Sequence, residues 1–357
     1  MKKINSATIA FTFAGSIVGA GFLSGQELWQ FFGSYGKLGV VGFILALVLQ
    51  LALVYIILTY AKDSQTSEFD ILIVKKEIKP LRYFFVFSEL VFVFGVVMIM
   101  YAGSGSLLKT AFGLNDLVGS LIFATAITIV AFLGLNGITK ILSATIPFLT
   151  ALTLIISILA LNKYGFPNVS NAEVTGKTAL MPNFVVAFIL FSVHNIFCML
   201  GVLAPLGCEL KSKSSAFNGM VLCSAVLIII TLSVLLPLYS VPEFAQKDLP
   251  MLDLAKTVSA PLFYVYAVLL LVGMFGSALS HLVSVTDFVY RKSDFLNKRK
   301  YIFILPLSIS AFVLSRFGFS KLISIMYPLS GYVGIIGLAL IIYNFIKLKC
   351  DAKKQSK

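Results

Sequence analysis

Apolar runs separated by short polar clusters fill this chain, falling at about 6–33, 38–61, 82–109, 117–135, 140–161, 182–208, 215–240, 260–289, 300–316 and 320–346. A helix of about 20 residues crosses roughly 30 Å of hydrocarbon, and most runs reach that length. The period-two alternation of a membrane β-barrel is absent. Helices are then the structures that satisfy every backbone polar group within lipid. The pattern predicts an all-α membrane protein of ten transmembrane helices. Residues 1–357 read as a single transmembrane domain, and the first run as an uncleaved helix, because no small-residue cleavage site interrupts it.

Composition agrees with the pattern. Of 357 residues, 59% are apolar and 12% charged, against about 25% charged in a soluble domain. The mean hydropathy is +0.98. A net charge of +13 would suit a nucleic-acid partner, but its distribution follows the positive-inside bias instead. With the N-terminus inside, 20 of the 28 Lys and Arg residues fall in inside segments and 8 outside. The chain is therefore expected in the cytoplasmic (plasma) membrane, multi-pass, with both termini cytoplasmic and no nucleic-acid partner. Cys198, Cys208, Cys223 and Cys350 lack the spacing of a disulfide or metal site.

Two segments outside the runs carry local structure. Residues 62–81 have an amphipathic middle (Phe69, Ile71, Leu72, Val74), and in 241–258 Pro250 opens a short helical pattern through Val258. Each reads either as an ordinary interfacial helix or as a moving gate.

The halves of the chain echo one another. Thr139-Lys140-Ile141-Leu142-Ser143 with Pro147 matches Ser320-Lys321-Leu322-Ile323-Ser324 with Pro328, at an offset of 181 residues throughout. The charge partition places Lys140 inside and Lys321 outside, as inversion requires. A 5+5 inverted repeat follows, with repeat one about 6–161 and repeat two about 182–346.

The same offset maps the glycine-interrupted stretch 14–21 of the first run onto 195–202 of the sixth. Gly15, Gly19 and Gly21 each weaken a helix by about 1 kcal/mol relative to Ala. Gly15-x-x-x-Gly19 is equally the pattern of close helix packing. In the sixth run His194 and Asn195 are costly in mid-membrane unless they face a cavity or partners. Paired interruptions in two repeats point to broken helices 1 and 6 around a transport site. Gly19, Ala20, Gly21, Ser192, His194 and Asn195 are its candidate substrate-binding residues. Half-helix N-termini there would offer N–H groups to a carboxylate, and unwound carbonyls would hold an ammonium or Na⁺.

The stretch A-G-S-I-V-G-A-G-F-L at 14–23 resembles the first-helix motif of the amino acid–polyamine–organocation (APC) superfamily and of LeuT-like symporters. Ser24-Gly25-Gln26-Glu27 with Phe31-Phe32, and Val202-Leu203-Ala204-Pro205-Leu206-Gly207, are similar to YkvI-type bacterial membrane proteins. The resemblance implies a LeuT-like fold in which Ala20 and Gly21 present N–H groups to a substrate carboxylate. It further implies that carbonyls of Gly15 and Val18, with Ser277 and Ser280, face a sodium site. His281 stands where a second hydroxyl is expected, so it reads either as an imidazolium replacing the cation or as a helix-packing histidine bonded to a carbonyl. Tyr101 is placed where the family contributes a tyrosine to the pocket, and tyrosine at a helix interface is the alternative. Glu27 and Glu89 are intramembrane carboxylates, and Gln26 with Glu27 forms a possible gate.

The function expected is ion-coupled symport of a small amino-acid-like or amine solute by alternating access, with Na⁺ or H⁺ as coupling ion and no cofactor. The alternative is a non-transporting ligand-sensing receptor, similar to germinant-receptor membrane subunits. Substrate identity and monomer or homodimer state stay open. An enzyme is not expected, since no HExxH, GxSxG or nucleotide loop occurs.

Overall fold

Local chemistry sets many of the helix ends. Asn5 Oδ1 accepts the Thr8 N–H at 2.9 Å, Asn183 Oδ1 that of Val186 at 3.0 Å, and Ser212 Oγ that of Ser215 at 3.1 Å, each capping a helix start. Gly113, with φ +70°, stops another helix by a left-handed turn that a side chain would strain. The computed structural model describes residues 4–74, 78–133, 138–169, 178–290, 295, 299 and 301–355. Among the basic residues counted for orientation, Lys2, Lys3, Lys75, Lys76, Lys177, Arg291, Lys292, Lys298, Lys300 and Lys357 lie outside the described residues.

In the first half, α1 (Ser6–Ile17), α2 (Ala20–Leu23), α3 (Gln26–Phe31) and a 3₁₀ turn (Gly33–Tyr35) precede α4 (Lys37–Ser64). A short α5 (Phe69–Ile73) leads to α6 (Lys79–Phe112), α7 (Asp116–Leu133) and α8 (Ile138–Tyr164). In the second half come α9 (Phe184–Phe197), α10 (Leu200–Cys208), α11 (Lys213–Ser240), α12 (Pro242–Ala245) and α13 (Pro250–Val258). The described helices close with α14 (Ala260–Tyr290), α15 (Tyr301–Ser315) and α16 (Phe319–Gln355).

Among the described residues, seven helices are long and apolar enough to cross a membrane, or eight if the bent pair α9–α10 is one span. The axes of that pair differ by 61°. Ser6–Ile17 and Ile302–Ser315 are apolar but shorter. Large side chains such as Val48, Phe87 and Ile129 are exposed on the helix flanks. In water such a surface would aggregate, whereas lipid solvates it.

Packing divides the helices into two groups. α1 packs on α11, and α4 on α9, α10 and α11; α6 packs on α7, α14 and α15. α8 joins the groups through α11 and α14, and α16 through α9 and α6. Close approach of α16 to α9 depends on glycine. A β-carbon on Gly331 would lie 2.9 Å from the Leu190 carbonyl oxygen, and one on Gly334 would lie 2.7 Å from Val193 Cγ1. That is small-residue packing of the kind membrane helices use in place of a hydrophobic driving force.

Both segments outside the apolar runs are packed. α5 buries Leu72 and Ile73, and Asp70 Oδ2 in its first turn accepts from Arg82 Nη2 at 2.5 Å. α13 buries Met251, Leu252, Leu254 and Ala255. Near α1 the chain is tied to the end of α10, since Ile4 N–H donates to the Glu209 carbonyl at 3.0 Å. On α4, Asp63 pairs with Lys213 and Lys349, each at 2.9 Å.

Candidate functional site

Two interruptions meet at one cavity. α1 ends at Ile17, where Val18 leaves helical geometry with ψ 75° and Gly19 is extended at φ −97°, ψ −179°. Gly19 N–H donates to the Ile17 carbonyl at 2.8 Å, and α2 restarts at Ala20. In the second half, α9 ends at Phe197 and α10 restarts at Leu200 through Met199, at φ −105°, ψ 1°. Each restart leaves first-turn N–H groups without helical partners, and each end leaves carbonyls likewise.

Between them lies a cavity of about 590 Å³. From the first interruption it is lined by Gly15, Val18, Gly19, Ala20 and Gly21, and from the second by His194, Asn195, Cys198 and Gly201. α14 contributes Gly273, Gly276, Ser277, Ser280 and His281. α6 adds Glu89 and Met100, α16 adds Tyr327, and Glu27 completes the wall. Among the described residues, no lysine or arginine lines it.

The two readings of Gly15-x-x-x-Gly19 are separated here. A β-carbon on either glycine would meet nothing within 4 Å, so neither serves a close helix contact. Both face open space. At Gly21 the β-carbon position lies 3.6 Å from Glu27 Oε2, 3.7 Å from Tyr327 Oη and 3.8 Å from Met100 Cε.

His194 is built into the opposite wall. Its ring stacks on Tyr327 with centroids 4.2 Å apart, and its Nδ1 is hydrogen-bonded to Ser330 Oγ. Cys198 Sγ lies 3.6 Å from the same nitrogen. Asn195 donates from Nδ2 to the Phe191 carbonyl at 2.9 Å. On α14, His281 Nδ1 lies 2.7 Å from the Ser277 carbonyl oxygen. With the proton on Nδ1, the imidazole donates to the carbonyl of Ser277, one of the residues expected at the cation site.

Three sequence candidates lie elsewhere. Tyr101 turns its hydroxyl to Ser308 Oγ at 2.9 Å, inside a buried cluster with Thr128, and does not line the cavity. Its helix α6 is buried on several sides, so spacing alone did not reveal which face meets solvent. Ser192 donates to the carbonyls of Phe188 at 2.8 Å and Ala46 at 3.1 Å, fastening α9 to α4. Gln26 lies in a separate recess with Trp29, Gln30 and Ser320, apart from Glu27. Conversely, Tyr327, Cys198 and Met100 line the cavity, a role the sequence did not suggest for any of them. The one usable signal was Tyr327 preceding Pro328, the repeat-marking proline.

One end of the cavity is shut. Tyr266 Oη donates to the Leu23 carbonyl at 2.7 Å, and Met251 N–H to that of Ser24 at 2.9 Å, which seats α13 over α2. Asp248 accepts from Ser320 at 2.5 Å and Ser106 at 3.1 Å, bridging α16 and α6. Gln30 Nε2 donates to the Ser320 carbonyl at 2.9 Å. Toward the other end, Gly15, Ser16, Gly201, Val202, Ser280 and Ser284 are exposed, and the cavity opens between them.

No family model matches the chain. It is 25% identical over 340 residues to the membrane protein YkvI of Bacillus subtilis (strain 168), covering 94% of each chain. It is also 25% identical over 336 residues to YyaD of the same organism, covering 93% of this chain and 95% of that one. In structure it is similar to Mhp1 in its inward-facing conformation, with a TM-score of 0.65 and 11% identity over 96% of this chain and 76% of that one. Against the closed conformation of Mhp1, a nucleobase-cation-symport-1 family transporter with bromovinylhydantoin bound, the TM-score is 0.55 at 12% identity, over 93% and 71%. A mutant of the manganese transporter of Eremococcus coleocola gives 0.53 at 12% identity, over 98% and 72%. The chain is thus a multi-pass membrane protein with a LeuT-like fold, similar along nearly all its length to YkvI and YyaD.

Proposed function

We propose that this protein is an ion-coupled secondary transporter of a small amine-bearing or amino-acid-like solute, working by alternating access. The observation that carries the reading is the cavity where two helix interruptions meet, shut at one end and open at the other. In this reading α1 to α3 form one broken span and α9–α10 another, giving ten spans in a 5+5 inverted repeat within one domain. Helix positions support the repeat. Ile17 and Phe197 end helices 180 residues apart. The starts of α6 and α14, and those of α8 and α16, are each 181 residues apart.

Both termini are cytoplasmic in this reading, so the open end faces the cytoplasm. The better superposition on the inward-facing form of Mhp1 than on its closed form supports that assignment. Solute binds among Gly19, Ala20, Gly21, His194 and Asn195, with Glu27 at the shut end. Gly15, Val18, Ser277, Ser280 and His281 form the coupling site. Imidazolium and Na⁺ compete for the same carbonyls, so His281 favours coupling to protons.

The test is uptake of a radiolabelled panel of amino acids and amines in proteoliposomes, under an imposed Na⁺ gradient or ΔpH. Uptake should follow ΔpH with little response to Na⁺, and His281→Ser, restoring a hydroxyl, should bring Na⁺ sensitivity. Strong Na⁺ dependence in the unaltered protein would return His281 to a packing role. Absence of gradient-driven flux for every solute would remove the transporter reading.

A further inference from the structure

The electrostatics of the cavity narrow its cargo, given that it is a transport site. A zwitterionic amino acid needs a positive pole for its carboxylate, and without a lysine or arginine among the described lining residues that falls to backbone N–H groups at the two helix restarts. Each restart already faces a carboxylate of the protein. Glu27 Oε2 lies 3.6 Å from the β-carbon position of Gly21, and Glu89 Oε1 lies 3.6 Å from that of Gly201. Among the described residues no lining lysine or arginine offsets them, and both lining histidines have Nδ1 engaged, with Ser330 and with the Ser277 carbonyl.

Glu27 is 5% exposed, lines the cavity, and its carboxylate has no hydrogen-bond or ion-pair partner among the described residues. A buried carboxylate without a partner is costly, and a cationic cargo removes that cost. Aromatic surface lies beside it, since Phe22 and Tyr327 line the same space and an ammonium group is attracted to a ring face. The donor set does not suit a metal ion, for no group of three or more His, Cys, Asp or Glu residues able to hold one occurs among the described residues.

We propose that Glu27 and Glu89 are specificity-determining residues that admit a small organic amine and reject its carboxylated counterpart. Glu27 stands beside Gly21 at the first restart, so a solute carboxylate brought there meets an acidic group and no positive one. With the carboxylate removed, the remaining ammonium has two acidic partners. Discrimination of this kind rests on the repulsive element as much as on the attractive one.

Matched pairs differing by one carboxylate provide the test: phenethylamine with phenylalanine, isoamylamine with leucine, and putrescine with ornithine. Binding to the purified full chain is read by thermal shift and calorimetry, and flux by proteoliposome uptake. At least one amine should bind tenfold or more tightly than its parent amino acid. Glu27→Gln should weaken that amine tenfold or more and narrow the gap within the pair, and Glu89→Gln should weaken it as well. Monodispersity and a solute-free melting temperature no lower than that of the unaltered protein show that the variants are folded. Amino acids that bind and move as well as their amines would overturn the specificity and leave the transporter reading standing, as would amine affinity unchanged in both variants. A panel with neither binding nor flux in any pair would overturn both.

Discussion

Gly21→Leu should abolish solute binding while the protein still inserts and folds. A β-carbon at this position makes only ordinary contacts, at 3.6 Å to Glu27 Oε2, 3.7 Å to Tyr327 Oη and 3.8 Å to Met100 Cε. The first added atom is therefore tolerated. The rest of the leucine side chain has to enter the cavity between the carboxylate and the phenol, where the solute is proposed to sit. A hundredfold loss of affinity or more, about 2.8 kcal/mol, is expected. Gly21→Ala should lose far less. Calorimetry on the purified variants distinguishes them, and unchanged affinity in Gly21→Leu would move the solute away from the first interruption.

The second large effect concerns stability, and it sets two kinds of membrane glycine against each other. Gly331→Ala places a carbon 2.9 Å from the Leu190 carbonyl oxygen and 3.1 Å from its Cα. Backbone cannot swing aside as a side chain can, so α16 must separate from α9. Overpacking of this kind costs about 1–3 kcal/mol, and here it also disturbs the seating of His194 against Tyr327 and Ser330. Gly15→Ala, by contrast, meets nothing within 4 Å and improves helix propensity by about 1 kcal/mol. Melting temperature in detergent should fall clearly for Gly331→Ala and hold or rise for Gly15→Ala. The reverse order would make the first glycine stretch the packing interface.

The apolar runs carried most of the helix positions. The runs at 82–109 and 215–240 correspond to Lys79–Phe112 and Lys213–Ser240, because in lipid length and hydropathy alone govern where a helix can lie. The stretches where α1 ends at Ile17 and α9 at Phe197 stood out for a similar reason. Glycine clusters and a His-Asn pair are expensive in a regular membrane helix, so they mark irregularity wherever they fall.

What each interrupted segment faces was not legible. Gly15 beside a cavity and Gly331 against a backbone are the same letter in an apolar run. Tyr101 and Tyr327 are likewise both tyrosines within apolar helices. One is bonded to Ser308 inside the scaffold, and the other lies beneath His194 at the cavity. Only the rotation of each helix about its axis separates them, and that is decided by packing among distant segments. Glu89 could be suspected of importance from its depth, but its place 3.6 Å from the β-carbon position of Gly201 depends on how distant helices pack.

Cys198 offers the most direct test of alternating access at this cavity, because it is a native thiol in the cavity wall. With Cys208, Cys223 and Cys350 changed to serine, its labelling by a small membrane-impermeant thiol reagent is followed in inside-out and right-side-out vesicles. Labelling should be faster from the cytoplasmic side than from the outside, where Asp248, Tyr266 and α13 close the path. A bound solute from the amine panel should protect the thiol. Equal labelling from both sides, or labelling that no transported solute slows, would contradict a solute site alternately opened between the two helix interruptions.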